Sequence, residues 1–241
     1  MSWIVFCHVA CAALLLGALP AGAEYAFPIE DRYLSTVLGT PEKFRAPVPA
    51  ESAAEERSIA LFGDRAIPPV FWQQGEFRYS VARQEGAAPL IFLIAGTGAR
   101  YDSQKLRYLQ AVFHQAGFHV VNLSSPTHVD FIITGSAASV PGNMQADVYD
   151  LYEAMDRIWD ELRDGMLVTE FHLAGYSLGG SQSAFLAELD SRLRVFRFKR
   201  VLLINPSVDL FTSVNLLDQM LQDAIPGGAP QLQRVFNDLS S

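Results

Sequence analysis

Ser177 stands in the run Gly175-Tyr176-Ser177-Leu178-Gly179, a G-x-S-x-G pattern placed between the strand-like segment Phe171-His172-Leu173-Ala174 and a helix-like one. A serine at a tight strand-to-helix turn adopts a strained backbone, so the positions two before and two after it must be small where neighbouring chain passes closely. Gly175 and Gly179 meet that need. Such a turn lifts the hydroxyl above the carboxyl ends of the strands, where open α/β sheets bind ligands, and leaves a helix amino terminus beneath the reacting centre. The simpler role for the same serine is to cap that helix. Nucleophilic chemistry would ask for more, because a hydroxyl is weak until a base removes its proton. A histidine and an orienting carboxylate should accompany it.

All five histidines, His8, His114, His119, His128 and His172, precede Ser177. His128 is the candidate base, since it falls in a long loop on the serine's side of the expected sheet; anchoring that loop is its plainer role. His114 belongs to a helix, and His119 and His172 to strand starts at the opposite end. Asp209, four residues after Asn205, is the candidate acid, with capping of the helix that starts near Leu210 as its alternative. Asp130 and Asp147 read as loop and cap residues. No H-E-x-x-H, cysteine cluster or histidine pair on one helix face points to a metal. No cofactor is expected either, because Gly96-Thr97-Gly98 is followed by Tyr101 where a dinucleotide loop needs its third glycine.

The elements that must position Ser177 follow from the apolar pattern. Leu90-Ile91-Phe92-Leu93-Ile94 is an unbroken run ending in Ala95-Gly96-Thr97-Gly98, as a central strand buried on both faces should be. Leu106, Leu109, Val112, Phe113 and Ala116 mark one face of a helix that Gly117 ends. His119–Leu123 is a strand, 124–143 a loop, and Val148, Leu151, Tyr152, Met155, Ile158, Trp159 and Leu162 a helical stripe. A strand over 170–174, a helix over 178–193 and a strand over 200–205 complete the alternation. Two further β-like runs, 58–62 and 77–83, precede the core, the second reading as half-buried near a sheet edge. The pattern predicts an α/β fold, a mostly parallel sheet with helices on both faces.

Acidic residues outnumber basic ones by 26 to 18 in 241 residues, a net charge of −8, which argues against nucleic acid as a partner. Both cysteines, Cys7 and Cys11, lie in the apolar run from Trp3 to Leu19. Followed by Pro20 and Ala21-Gly22-Ala23, that run reads as a signal peptide over 1–23, cleaved after Ala23, which implies a periplasmic or secreted protein without disulfides. Membrane attachment would come only through an uncleaved leader. Residues 24–56, with Pro28, Pro41, Pro47 and Pro49, read as an extended arm, 57–205 as the core, and 206–241 as the start of a cap or C-terminal part.

On the Gly175–Gly179 motif and the strand-turn that ends in Gly96-Thr97-Gly98, the chain resembles the α/β-hydrolase superfamily of serine esterases and lipases over about Ser58 to Asn205. The resemblance implies that Gly175, Tyr176 and Gly179 form a nucleophile elbow around Ser177. It also implies that the Leu178 amide and the amide of Thr97, or alternatively Gly98, hold an oxyanion. Where many relatives carry His-Gly, this chain has Ala95-Gly96. A relative of full length would add two strands and a histidine after the last predicted strand, so the resemblance implies a C-terminally incomplete chain. The implied activity is cleavage of a small-molecule or lipid-like carboxylic ester through an acyl-enzyme on Ser177. The alternative, supported by the missing histidine, is a non-catalytic binding or interaction protein of the cell envelope.

Overall fold

The structure, a computed structural model, describes residues 29–30, 34, 40–45, 47, 49–50, 52–63, 65–71, 75–225, 227–228, 231 and 237. The expected leader and about half of the expected arm lie outside them. The chain divides into two compact units, Met1–Pro47 and Val48–Ser241. Within the first, Glu42–Phe44 forms a single 3-10 turn closed by the Arg45 amide on the Glu42 carbonyl at 3.0 Å.

Within the second unit, β1 (Ala54–Ile59), β2 (Phe77–Ala82), β3 (Ala88–Ile94), β4 (His119–Leu123), β5 (Val168–Tyr176) and β6 (Arg200–Ile204) form one sheet in the order β1-β2-β4-β3-β5-β6. β4, β3, β5 and β6 run parallel, while β2 is antiparallel to both of its neighbours. The uninterrupted apolar run thus forms the sheet's interior: Leu90, Phe92, Leu93 and Ile94 of β3 are fully buried. Side chains alternate across β3. Leu90, Phe92 and Ile94 join the core with α3 (Met144–Leu162) and α4 (Leu178–Leu193), whereas Ile91 and Leu93 meet Leu106 and Leu109 of α1 (Gln104–Gln115) on the other face. The sheet is therefore covered on both sides, as the strand-helix alternation implied.

Three elements differ from the sequence reading. β1 starts four residues before the run expected at Ser58, because Ala-Glu-Glu-Arg-Ser-Ile is a largely exposed edge strand joined by backbone pairing, from Ala54 opposite Ala82 to Ile59 opposite Phe77. Hydrophobic alternation cannot reveal such a strand. β2 is not half-buried: β1 shields its outer edge, and only Arg78 stays exposed. The loop over 124–143 contains a short helix, α2 (Val129–Thr134), whose Phe131 meets Phe77 edge-on at 5.3 Å.

The amphipathic stretch after β6 forms α5 (Leu210–Ala224). Phe211, Val214 and Leu217 on it, with Leu202 and Leu203 of β6, are exposed. Among the described residues no helix is long and apolar enough to cross a membrane.

Candidate active site

In register, Ile94 of β3 lies opposite Gly175 of β5, and Tyr176 lies opposite Ile204 of β6. Three parallel strands therefore end together, and the chain after β5 turns into α4 within one residue. That residue is Ser177, at φ 54° and ψ −125°, a left-handed conformation that costs a side-chain-bearing residue about 1–3 kcal/mol. Its amide bonds the Ile204 carbonyl at 2.9 Å, pinning the turn to the end of β6. Its hydroxyl makes no cap bond to α4, so the simpler helix-capping role is not the one this serine plays. The residue is half-buried and lines a cleft of about 620 Å³ with Tyr176, Lys105, Tyr108, Leu109 and Ile204.

The glycines of the motif are required by close approach. A Cβ on Gly175 would strike the Gly179 backbone and sit 2.6 Å from Ser183 Oγ; one on Gly179 would strike the carbonyl of Ile94 and lie 2.5 Å from that of Ala95. The start of α4 is thus pressed against the end of β3. Gly96 is equally confined, since its Cβ would come within 2.6 Å of the Tyr176 ring and 3.1 Å of Ser177 Cβ. The turn after β3 consequently passes directly beside the serine.

That turn closes with the Ala99 amide on the Gly96 carbonyl at 3.0 Å, and Gly98, at φ 65°, supplies the left-handed residue that a type II turn needs at its third position. The Gly98 amide donates to Thr127 Oγ1 at 2.8 Å, so it is already committed. The amides of Thr97 and Leu178 donate to no acceptor among the described residues. For Leu178 this follows from its place in the first turn of a helix, where amides have no partner within the helix. Thr97 is exposed and Leu178 buried.

The second layer of the turn is built from β4's outgoing loop. Ser125 donates its amide to Ala99, Tyr101 donates its amide to Ser124 Oγ at 3.0 Å, and the Asn122 amide side chain donates to the Tyr101 carbonyl at 3.2 Å. Arg100 and Asp102 form an ion pair on the same turn, which holds the Asp102 carboxyl below its usual range. Asp130 is buried, 2% exposed, with both carboxylate oxygens lacking a hydrogen-bond partner among the described residues. Burial pushes its pKa up to about 6, against the opposing pull of Arg78 and Arg100. Asp130, expected from the sequence to be a loop residue, lies in the first turn of α2. Asp147 does serve a terminus, accepting the Gly142 amide at 3.0 Å from the first turn of α3.

The candidate base and acid sit elsewhere in the local bonding. His128 caps α2, its Nδ1 accepting the Asp130 amide at 3.1 Å, and burial followed by the nearby Arg100 charge lowers its pKa. Asp209 caps α5: one carboxylate oxygen accepts the Thr212 amide at 3.0 Å and the other the Thr212 hydroxyl at 2.7 Å, which lowers its pKa. Of the remaining described histidines, His119 and His172 lie far along the sheet and His114 near the end of α1. His119 and His172 pair with Leu90 and Ile91 at the amino half of β3, where His119 bridges the Gln84 amide and the Leu167 carbonyl and His172 contacts Glu170; His114 bonds the Arg83 carbonyl. None of the four described histidines bonds Ser177, and His8 lies outside the described residues. Lys105 and Asn205, which also line the cleft, were not singled out in the sequence. Their positions offered a signal, because each follows the carboxyl end of a strand neighbouring β5.

A parallel sheet with one antiparallel second strand, a left-handed serine between β5 and α4, and an amide-bearing turn after β3 together define an α/β-hydrolase-type fold. No protein-family model matches the chain, and no curated protein matches it. Among solved structures it is similar to brefeldin A esterase, a bacterial homologue of human hormone-sensitive lipase, with 19% identity over 71% of this chain and 46% of that one and a TM-score of 0.47. It is also similar to an esterase from the hyperthermophilic archaeon Pyrobaculum calidifontis, with 22% identity over 67% of this chain and 46% of that one and a TM-score of 0.43. A thermophilic carboxylesterase cloned from a metagenomic library gives 18% identity, 67% and 49% coverage and a TM-score of 0.45. The chain thus spans about half the length of these proteins.

Proposed function

We propose that this protein is a serine hydrolase of carboxylic esters, for which the described residues form the nucleophile and oxyanion half of the site. The observation that carries this reading is the left-handed Ser177, its hydroxyl uncommitted, beside the unpartnered amides of Leu178 and Thr97. In the reaction, Ser177 Oγ attacks the ester carbonyl and forms a C–O bond while its proton passes to a base. The carbonyl oxygen takes the negative charge and is held by the two amides. The alkoxy bond then breaks, the alcohol leaves with a proton, and water hydrolyses the acyl-serine to carboxylate and regenerated Ser177. Aiming fixed amide dipoles at that oxygen is the larger part of what this geometry supplies, since one lost donor costs about 3 kcal/mol in the barrier.

The leader-like residues 1–23 support action in the periplasm or outside the cell. A second reading, an ester-binding protein without turnover, draws on the hydrogen bonds that occupy the described histidines away from Ser177. Turnover of 4-nitrophenyl esters by the purified chain, lost in Ser177→Ala, supports the hydrolase. Ester binding that survives in both proteins without turnover supports the second reading and removes the first.

A further inference from the structure

The cleft beside Ser177 is mostly apolar, with Leu109, Ile204 and the rings of Tyr108 and Tyr176 among its walls, and no carboxylate among the described residues lines it. One cation does. Lys105, in the first turn of α1, is exposed and places its Nζ 5.4 Å from the centre of the Tyr176 ring, the residue next to the serine. No ion pair engages it among the described residues, although the molecule carries a net charge of −8 and its other site-side cation, Arg100, is paired with Asp102.

We infer that the cleft selects esters bearing an anionic group on the arm that lies along α1, with Lys105 as the residue that recognises it. The inference rests on the hydrolase reading of Ser177 and names its substrate class. An apolar trough with a single unpaired ammonium suits a short hydrocarbon arm ending in a carboxylate or phosphate: the hydrocarbon is buried against Leu109 and Ile204, and the end group meets Lys105 at the rim. The ammonium is solvated and free to move on its four-carbon stem, so it discriminates as a point charge. Its position over the Tyr176 ring, 5.4 Å from the ring centre, lies next to the nucleophile. A fully apolar acyl chain would fill the same trough while leaving the cation without a counter-charge.

Mono-4-nitrophenyl adipate and 4-nitrophenyl hexanoate differ only in the terminal carboxylate, and their kcat/KM ratio reads the preference directly. In the full chain the ratio is expected to favour adipate by about fivefold at low salt, the scale of one partly exposed ion pair, and to shrink as ionic strength rises. In Lys105→Gln the ratio should fall to about one, and in Lys105→Arg it should be kept. A wild-type ratio near one, or a preference that persists in Lys105→Gln, overturns the inference while leaving the hydrolase intact. If neither ester is turned over, it is the hydrolase reading that fails, and binding of adipic monoanilide and hexananilide by ligand-observed NMR decides the anion site. Binding of the adipic compound alone, weakened in Lys105→Gln, supports it; equal binding of both, or of neither, overturns it.

Discussion

Replacing Ser177 by glycine should make the protein more stable, and the size of the gain follows from its backbone. At φ 54° and ψ −125° the serine Cβ carries about 1–3 kcal/mol of strain, and its hydroxyl contributes no bond that folding would lose. Glycine adopts the same conformation freely but gains freedom in the unfolded chain, an offset of about 0.5–1 kcal/mol. Ser177→Ala is the control, because it removes the hydroxyl and keeps the Cβ. Ser177→Gly should therefore exceed Ser177→Ala by about 1–2 kcal/mol in urea unfolding, or roughly 3–6 °C in Tm for a unit of this size. Equal stability of the two variants, or a less stable glycine variant, would refute the strained turn on which the site is built.

Other expectations concern the surrounding frame. Gly179→Ala drives a Cβ into the carbonyls of Ile94 and Ala95, which cannot yield without moving β3; a loss of about 3 kcal/mol is expected, and a wild-type urea midpoint would contradict the contact. Thr97→Pro deletes one proposed oxyanion amide at a turn position that proline favours, so kcat should drop about 10²–10³-fold with little change in Tm; undiminished kcat would assign the donor elsewhere. Asp130 binds its proton more tightly when folded, so wild-type stability should fall as pH rises from about 4 to 6. Above that window the burial penalty is complete, about 3 kcal/mol for a shift from 3.8 to about 6. Asp130→Asn should be the more stable protein at pH 7.5 and lose that advantage below pH 4, and parallel stability curves would contradict the buried, unpartnered carboxylate.

The parts of this fold legible in the sequence are those whose apolar pattern is dictated by burial. Leu90–Ile94 announces a strand covered on both faces, and Leu178–Leu193 is flanked by a motif that fixes its start. The start of β1 is not legible because its side chains are largely exposed and backbone pairing alone defines it, and α2 is not because six residues inside a loop carry too little periodicity. The site divides in the same way. Gly175 and Gly179 are readable because crowding admits no side chain, whereas the preference for Thr97 over Gly98 depends on Thr127, 29 residues beyond Gly98 and adjacent only in the fold. His128 and Asp209 were candidates for base and acid by their place alone, and both serve helix termini, the plainer role the sequence also allowed, through local bonds that compete for the same atoms.

The most direct measurement is mass-spectrometric mapping of a fluorophosphonate probe on the folded chain, since phosphonylation reports a nucleophilic serine and oxyanion donors together. One adduct is expected, on the peptide containing Ser177, and it should vanish in Ser177→Ala and after unfolding in urea. Absence of that adduct from the folded protein, or equal labelling of the unfolded one, would contradict the claim that the folded turn between β5 and α4 presents this hydroxyl as a nucleophile beside oxyanion donors.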